Sequence, residues 1–251
     1  MVQDKPTTPA VDSAIRVLQL LVNAPYPLTQ REVSAQTGIP AASCYRILNS
    51  LLAAGLIAND PGRKRAFGVG ARIFQMASTI YGRQAILPFF HPIAEILKNE
   101  TRHAVLLSSQ VGSNVVVVAR AALSGVDGFG AHVGQTLPMW RAAAGKAMLS
   151  MRPTAYRQQY LAAACAQGEL TAEQGAQQEQ ELQRVMRLGY AVTHGEAGQL
   201  SCLAAPVLNL LQEPVAAVSL CIARPQLREE DVRAYSAPLI QAVRQLSARL
   251  G

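Results

Sequence analysis

Hydrophobic positions recur at helical spacing from near the start of the chain. Ala14, Val17, Leu18, Leu21 and Val22 share one face of a predicted helix that follows Asp12 and is stopped by Pro25 and Pro27. Thr29 and Glu32 form a T-x-x-E capping box, with Leu28 and Val33 spaced as a hydrophobic staple, so a second, short helix begins there and ends at Gly38. Pro40 suits the first turn of a third helix, whose apolar positions are Tyr45, Ile47, Leu48, Leu51 and Leu52 and which reaches Gly55. Beyond Gly55 the period changes. Residues 56–59 are strand-like, Asp60-Pro61-Gly62 is a turn, and residues 63–67 return as a second strand.

A further helical pattern (Ile73, Phe74, Met76, Ala77, Ile80) spans 71–83, and Pro88 and Pro92 mark a boundary before a new helix at 93–100. The rest alternates in type. Residues 104–110 and 115–119 form a hairpin around Gly112, 126–133 is a Gly-rich bent strand or loop, and 142–151 is a helix after Pro138. Thr171 and Gln174 form a second capping box that opens a helix closed by Gly189. Strands at 190–193, 203–208 and 215–223 precede a final helix at 229–250, with Pro238 as a place for a bend. Hairpin-paired strands with helices packed on them predict an α+β domain with a largely antiparallel sheet.

Charge sharpens the first third of this picture. The chain carries 23 Lys and Arg against 16 Asp and Glu, a formal +7 over 251 residues. Residues 1–80 hold eight of the basic side chains and four of the acidic ones, so over half of the excess lies in a third of the chain. Three of those cations, Arg63, Lys64 and Arg65, sit together at the tip of the predicted hairpin. Helix, helix–turn–helix, then a hairpin with a cationic tip is the order of a winged helix–turn–helix. Such a module lays its third helix in the major groove and sets the hairpin beside phosphates. Winged helices also serve as protein-interaction modules, and the pattern alone favours DNA binding over that alternative.

Other classes are excluded or disfavoured. Half of the residues are hydrophobic and 16% charged, which is too apolar for a disordered chain. The opening MVQDKPTTPA lacks the apolar core of a signal peptide, and no apolar run approaches the roughly 20 residues of a membrane helix. Cys44, Cys165, Cys202 and Cys221 include no C-x-x-C pair and read as reduced thiols of a cytoplasmic protein. The four histidines have no metal-ligand spacing, so neither metal nor cofactor is expected. Gly145-Lys146 fails as a phosphate loop: Trp140 stands where the first Gly is required and Ala147 where Ser or Thr is. Cys202 paired with one of His91, His103, His132 or His194 would make a thiol nucleophile and base. No motif supports that pairing, and a small buried hydrophobe is the simpler reading of Cys202.

Residues 11–76 resemble the DNA-binding domain of IclR-type bacterial transcriptional regulators, through Ser43-Cys44-Tyr45-Arg46-Ile47-Leu48 and the closing Gly68-x-Gly70. Further on, GQTLPMWRAAAGKAMLS (134–150), ELQRVMRLGYAV (181–192) and SCLAAPV (201–207) are similar to signatures of the same family. The resemblance covers most of the chain in the correct order. It implies a recognition helix at 40–53, a wing at 59–67, and a linker helix that pairs two DNA-binding domains. It also implies a C-terminal GAF-like effector domain that binds a small molecule and oligomerises. The expected organisation is a disordered arm at 1–10, a winged helix–turn–helix at 11–70, a linker helix at 71–90, and an effector and oligomerisation domain at 91–251. The linker reads equally as a packed connector.

The residues expected to meet DNA are Pro40, Ala41, Ser43, Tyr45, Arg46 and Asn49 on the third helix and Arg63, Lys64 and Arg65 on the wing. The resemblance places ligand contacts at Val126, Phe129, Leu137, Ala143, Ala144, Cys202, Ser219 and Cys221. Small residues at 142–145 let a ligand approach the backbone, and free amides at that helix start suit a carboxylate. The expected partners are therefore a double-stranded operator, an organic acid or aromatic metabolite, and further copies of the chain as a dimer or dimer of dimers. Two rivals remain: a small-molecule enzyme with a structural winged helix, and a protein-interaction adaptor.

Overall fold

The computed structural model describes residues 8–81, 86–122, 132–194 and 200–250, with the backbone alone at 78–81. The chain divides into two compact units, Met1–Gln84 and Ala85–Gly251. The first contains α1 (Pro9–Asn23), β1 (Leu28–Thr29), α2 (Gln30–Thr37), α3 (Ala41–Ala53), β2 (Ile57–Asn59), β3 (Ala66–Val69) and α4 (Ala71–Tyr81). Its strands form an antiparallel sheet in the order β1-β3-β2, with Leu28 opposite Phe67 and Ile57 opposite Val69. Val17, Leu21, Leu28, Val33, Cys44, Leu48, Leu51 and Ile57 close a core between the three helices and this sheet.

Three details differ from the sequence reading. The first helix begins at Pro9, not after Asp12, so the end of the expected arm is helical. Proline is favoured there because the first helical N–H has no partner to lose. Thr8 is the extended N-cap of this helix, and residues 1–7 of the arm lie outside the described residues. The apolar face of α3 uses Cys44, not Tyr45: Cys44 is fully buried and Tyr45 is 57% exposed. The two-residue strand β1 overlaps the capping box and is too short to show any alternation. The box itself forms as expected, and α2 ends at Gly38 in the left-handed conformation (φ 69°).

The second unit contains α5 (Leu87–Thr101), β4 (Ala104–Val111), β5 (Asn114–Ala121), β6 (Thr136–Pro138), α6 (Ala143–Ser150), α7 (Thr154–Ala166), α8 (Ala172–Leu188), β7 (Ala191–His194), β8 (Ser201–Leu208), β9 (Pro214–Ile222) and α9 (Glu229–Ser247). Six strands form one sheet in the order β6-β5-β4-β9-β8-β7, and every pairing is antiparallel. Helices α5 and α9 cover one face through Phe90, Leu97, Leu239 and Leu246, packed on Leu107, Leu203, Val218 and Leu220. Helices α6, α7 and α8 cover the other through Met148, Leu149, Leu161, Leu182 and Val185.

Helix α5 begins at Leu87, so Pro88 and Pro92 lie inside it and do not delimit it. Pro88 falls in the first turn, where helical N–H groups lack partners in any case. Part of the expected linker, 87–90, therefore belongs to the larger unit. Helix α7 escaped the sequence reading because Leu161 is its one large fully apolar residue among the three it buries, Arg157, Leu161 and Ala164. Arg157 is matched by Glu179 of α8 at 2.8 Å, with its other donors on the Arg152 carbonyl and Thr154.

A β-bulge sets the face of β5. Leu107 pairs with Ala119 and Ser108 with Val117, so Val118 has no partner. The extra residue switches the pleat: Ala119 and Ala121 join the α5/α9 core, while Val115 and Val117 point to the opposite face.

Candidate functional site

The exposed face of α3 follows from its buried one. Cys44, Leu48 and Leu51 point inward at i, i+4, i+7 spacing, which turns Ala41, Tyr45, Arg46 and Asn49 to solvent, with Pro40 exposed at the helix start and Ser43 half-buried. Burial also raises the pKa of the Cys44 thiol, whose Sγ lies 3.8 Å from the Gln30 carbonyl of α2. Cys44 thus helps to join the two helices of the turn motif, a role that the sequence did not show.

Among the wing cations Arg63 stands apart. Its guanidinium donates to Glu32 at 2.7 Å and to the Pro27 carbonyl at 2.6 Å, and lies over the Tyr26 ring at 5.5 Å. Glu32 also accepts hydrogen bonds from the backbone and hydroxyl of Thr29, both at 2.8 Å. The Arg63 hydrogen bond first, and those from Thr29 next, lower the Glu32 carboxyl to about 2. One carboxylate therefore caps α2 and ties down the wing. Arg63, expected to face phosphate, is occupied within the domain, while Lys64 and Arg65 at the tip are exposed. Asp60 shapes the turn by accepting from the Gly62 and Arg63 amides.

The second unit holds a cavity of about 750 Å³ on the sheet face opposite α5 and α9. Leu106, Ser108, Val115, Val117, Cys202, Ser219 and Cys221 line it from the strands, and Ala143, Ala144 and Lys146 from α6. Gln178 and Glu181 line it from α8, and Trp140, Leu137 and His194 complete its rim. Leu137, Ala143, Ala144, Cys202, Ser219 and Cys221 are thus brought together as expected. Val126 and Phe129 lie outside the described residues.

Helix α6 enters this wall unusually closely. A Cβ on Gly145 would stand 2.3 Å from both the Cα and the carbonyl oxygen of Met139, so only glycine permits the approach. The Ala-Ala-Gly segment is therefore explained first by packing. Its N-cap, Ala142, offers no side-chain acceptor to the first-turn amides. Tyr160 fixes the preceding turn by donating to the Ser113 carbonyl at 2.9 Å and accepting from the Trp140 amide at 3.3 Å. Trp140 in turn donates to Glu169 at 2.9 Å.

The sequence reading missed the charged part of the cavity. Lys146 donates to Glu181 at 2.8 Å, with the lysine side chain 9% exposed and the carboxylate 33%. Their separation of 35 residues leaves no local signal; only the packing of α6 on α8 joins them. His194 is the last residue of β7, one position beyond the strand expected at 190–193, and its Nδ1 lies 3.2 Å from the Ser201 hydroxyl. Cys202 is not isolated either: its Sγ is 3.3 Å from that of Cys221 across the β8–β9 pair. Among the described residues no three His, Cys, Asp or Glu side chains gather as a metal site, and no helix is long and apolar enough to cross a membrane.

A winged helix–turn–helix with a solvent-facing third helix, followed by an α+β domain built around a small-molecule-sized cavity, defines a ligand-binding transcriptional regulator. The bacterial transcriptional regulator IclR C-terminal domain matches residues 79–248, and the IclR helix–turn–helix domain matches residues 10–61. The chain belongs to the IclR family. It is 25% identical to the transcriptional repressor IclR of Escherichia coli, over 98% of this chain and 92% of that one. The fold superimposes on the Thermotoga maritima IclR crystal structure with a TM-score of 0.75 at 20% identity, over 96% of this chain and 98% of that one. An IclR homologue from Microbacterium hydrocarbonoxydans, solved with 4-hydroxybenzoate, gives 0.70 at 17% identity, over 96% and 98%.

Proposed function

We propose that this regulator reads its operator through Tyr45, Arg46 and Asn49, with Ser43, Pro40 and Ala41 packing along the groove and Lys64 and Arg65 meeting phosphate. The cavity of the larger unit takes a small aromatic or organic acid. The observation that carries this reading is the cavity itself. It has an aliphatic floor for a ring, with Ser108 and Ser219 as hydroxyl partners and Lys146 beside uncapped helix amides for an anionic end. A relative solved with 4-hydroxybenzoate supports the same ligand class. Ligand binding then shifts the population between arrangements of a dimer, or dimer of dimers, that differ in operator affinity. The protein acts in the cytoplasm and performs no turnover.

Fluorescence anisotropy on the DNA flanking its own coding region, at several salt concentrations and with 4-hydroxybenzoate added, tests the proposal. Saturable preference over random duplex, a negative salt slope and a ligand-dependent shift are expected. Equal affinity for any duplex would sink the operator reading. A ligand that leaves both the anisotropy and the emission of Trp140, the single tryptophan, unchanged would sink the ligand class.

A further inference from the structure

Cys202 of β8 and Cys221 of β9 face each other as direct cross-strand partners, and both side chains line the cavity floor. Their sulfurs are 3.3 Å apart, and both are free thiols. Facing residues of an antiparallel pair have Cα atoms about 4.5–5.5 Å apart, within the range a disulfide bridges, and the sulfurs need approach by only about 1.2 Å to bond. Leu106 and Val117 pack beside the pair. Cys202 is half-buried and so open to a small reagent, whereas Cys44 is fully buried.

We propose that Cys202 and Cys221 form a peroxide-sensitive dithiol in the floor of the ligand cavity, closing to a disulfide that lowers ligand affinity. The link to ligand affinity rests on the cavity reading above; the thiol chemistry does not. The thiolate of Cys202 attacks one oxygen of hydrogen peroxide, breaking the O–O bond, and the hydroxide released is protonated to water. The Cys221 sulfur then attacks the Cys202 sulfenic sulfur, forming the S–S bond and expelling the second oxygen as water. Two thiols and one peroxide thus yield one disulfide and two waters, the thiols being oxidised and the peroxide reduced. Cys221 supports the first step by hydrogen bonding to Cys202, which lowers the pKa of Cys202 and raises that of Cys221. Closure removes two S–H groups from the floor and draws β8 and β9 side chains together beneath the ligand.

The full-length protein is treated with graded hydrogen peroxide, alkylated under denaturing conditions and mapped by peptide mass spectrometry. A Cys202–Cys221 linked peptide, lighter by two thiol hydrogens and restored by dithiothreitol, is expected before any change at Cys44. Alkylation of both cysteines at peroxide levels that oxidise Cys165, or linkage of Cys202 to another cysteine, overturns the proposal. In Cys221→Ser, Cys202 should stop as a dimedone-reactive sulfenic acid with no linked peptide; a surviving linked peptide overturns it. Trp140 titration with 4-hydroxybenzoate should show about fivefold weaker binding to the oxidised protein, as expected for losing one hydrogen-bonding contact. Equal affinity in both forms overturns the switch. No binding in either form overturns the ligand class, while the mass measurement alone still decides the dithiol.

Discussion

If Lys146 receives the acidic end of the ligand, Glu181 is its competitor, and neutralising it should tighten binding. Two oxygens that contact one ammonium at about 2.8 Å and tetrahedral angles lie about 4.6 Å apart. A ligand carboxylate on Lys146 would therefore meet the Glu181 carboxylate at roughly 5 Å. Two unit charges at that distance repel by about 0.8 kcal/mol with full water screening and by about 3 kcal/mol at the dielectric typical of a protein surface. Glu181→Gln removes this repulsion and keeps an oxygen acceptor for the lysine. The expected gain is about fourfold to a hundredfold in affinity for 4-hydroxybenzoate, and none for its neutral amide. Stability should fall by only about 1 kcal/mol, since Glu181 is a third exposed and a neutral acceptor still meets the buried ammonium. Trp140 emission gives the affinities, and urea unfolding gives the stability. Unchanged or weaker binding of the acid by a folded Glu181→Gln protein would refute the placement of the anionic end at Lys146.

On the DNA side, Arg46→Ala should lower operator affinity by about 1–3 kcal/mol and leave random duplex almost unaffected, as read by anisotropy. Lys64→Ala and Arg65→Ala should weaken both DNAs alike and reduce the salt slope by about one each. Arg63→Ala should act differently, lowering the melting temperature of the N-terminal unit because its guanidinium holds Glu32, Pro27 and Tyr26 together. The Glu32 carboxyl titrates near 2 when folded against 4.5 otherwise, so its contribution is complete above about 4.5 and is lost as pH falls toward 2. The melting temperature of Glu32→Gln should accordingly depend less on pH across that window. Gly145→Ala should destabilise the larger unit by about 1–3 kcal/mol, measured by urea unfolding, because the added methyl meets the Met139 backbone.

The turn motif was legible because each of its signals is local. Thr29 and Glu32 lie three residues apart and Gly38 closes the same short helix, so chemistry and position coincide on one stretch of chain. Six of the ligand-contact candidates also converged on one cavity, since the motifs that nominated them occupy facing elements. Helix α7 was not legible, because its buried face includes Arg157, whose partner Glu179 is supplied by another helix. The hairpin at 104–119 was expected, yet which residues of β5 face the cavity depends on the bulge at Val118. The unbroken run of valines gives no hint of it.

The sequence by itself determined the winged helix–turn–helix, the antiparallel α+β domain and the family, which rest on signals contained within short stretches of chain. The tertiary structure decided which polar groups act together. It joined Arg63 to Glu32 across 31 residues, Lys146 to Glu181 across 35 and Cys202 to Cys221 across 19. Charge and hydrogen bonding act over a few ångströms of space whatever the separation along the chain. A wing cation therefore proved to be an anchor, and two unremarkable cysteines became a facing pair.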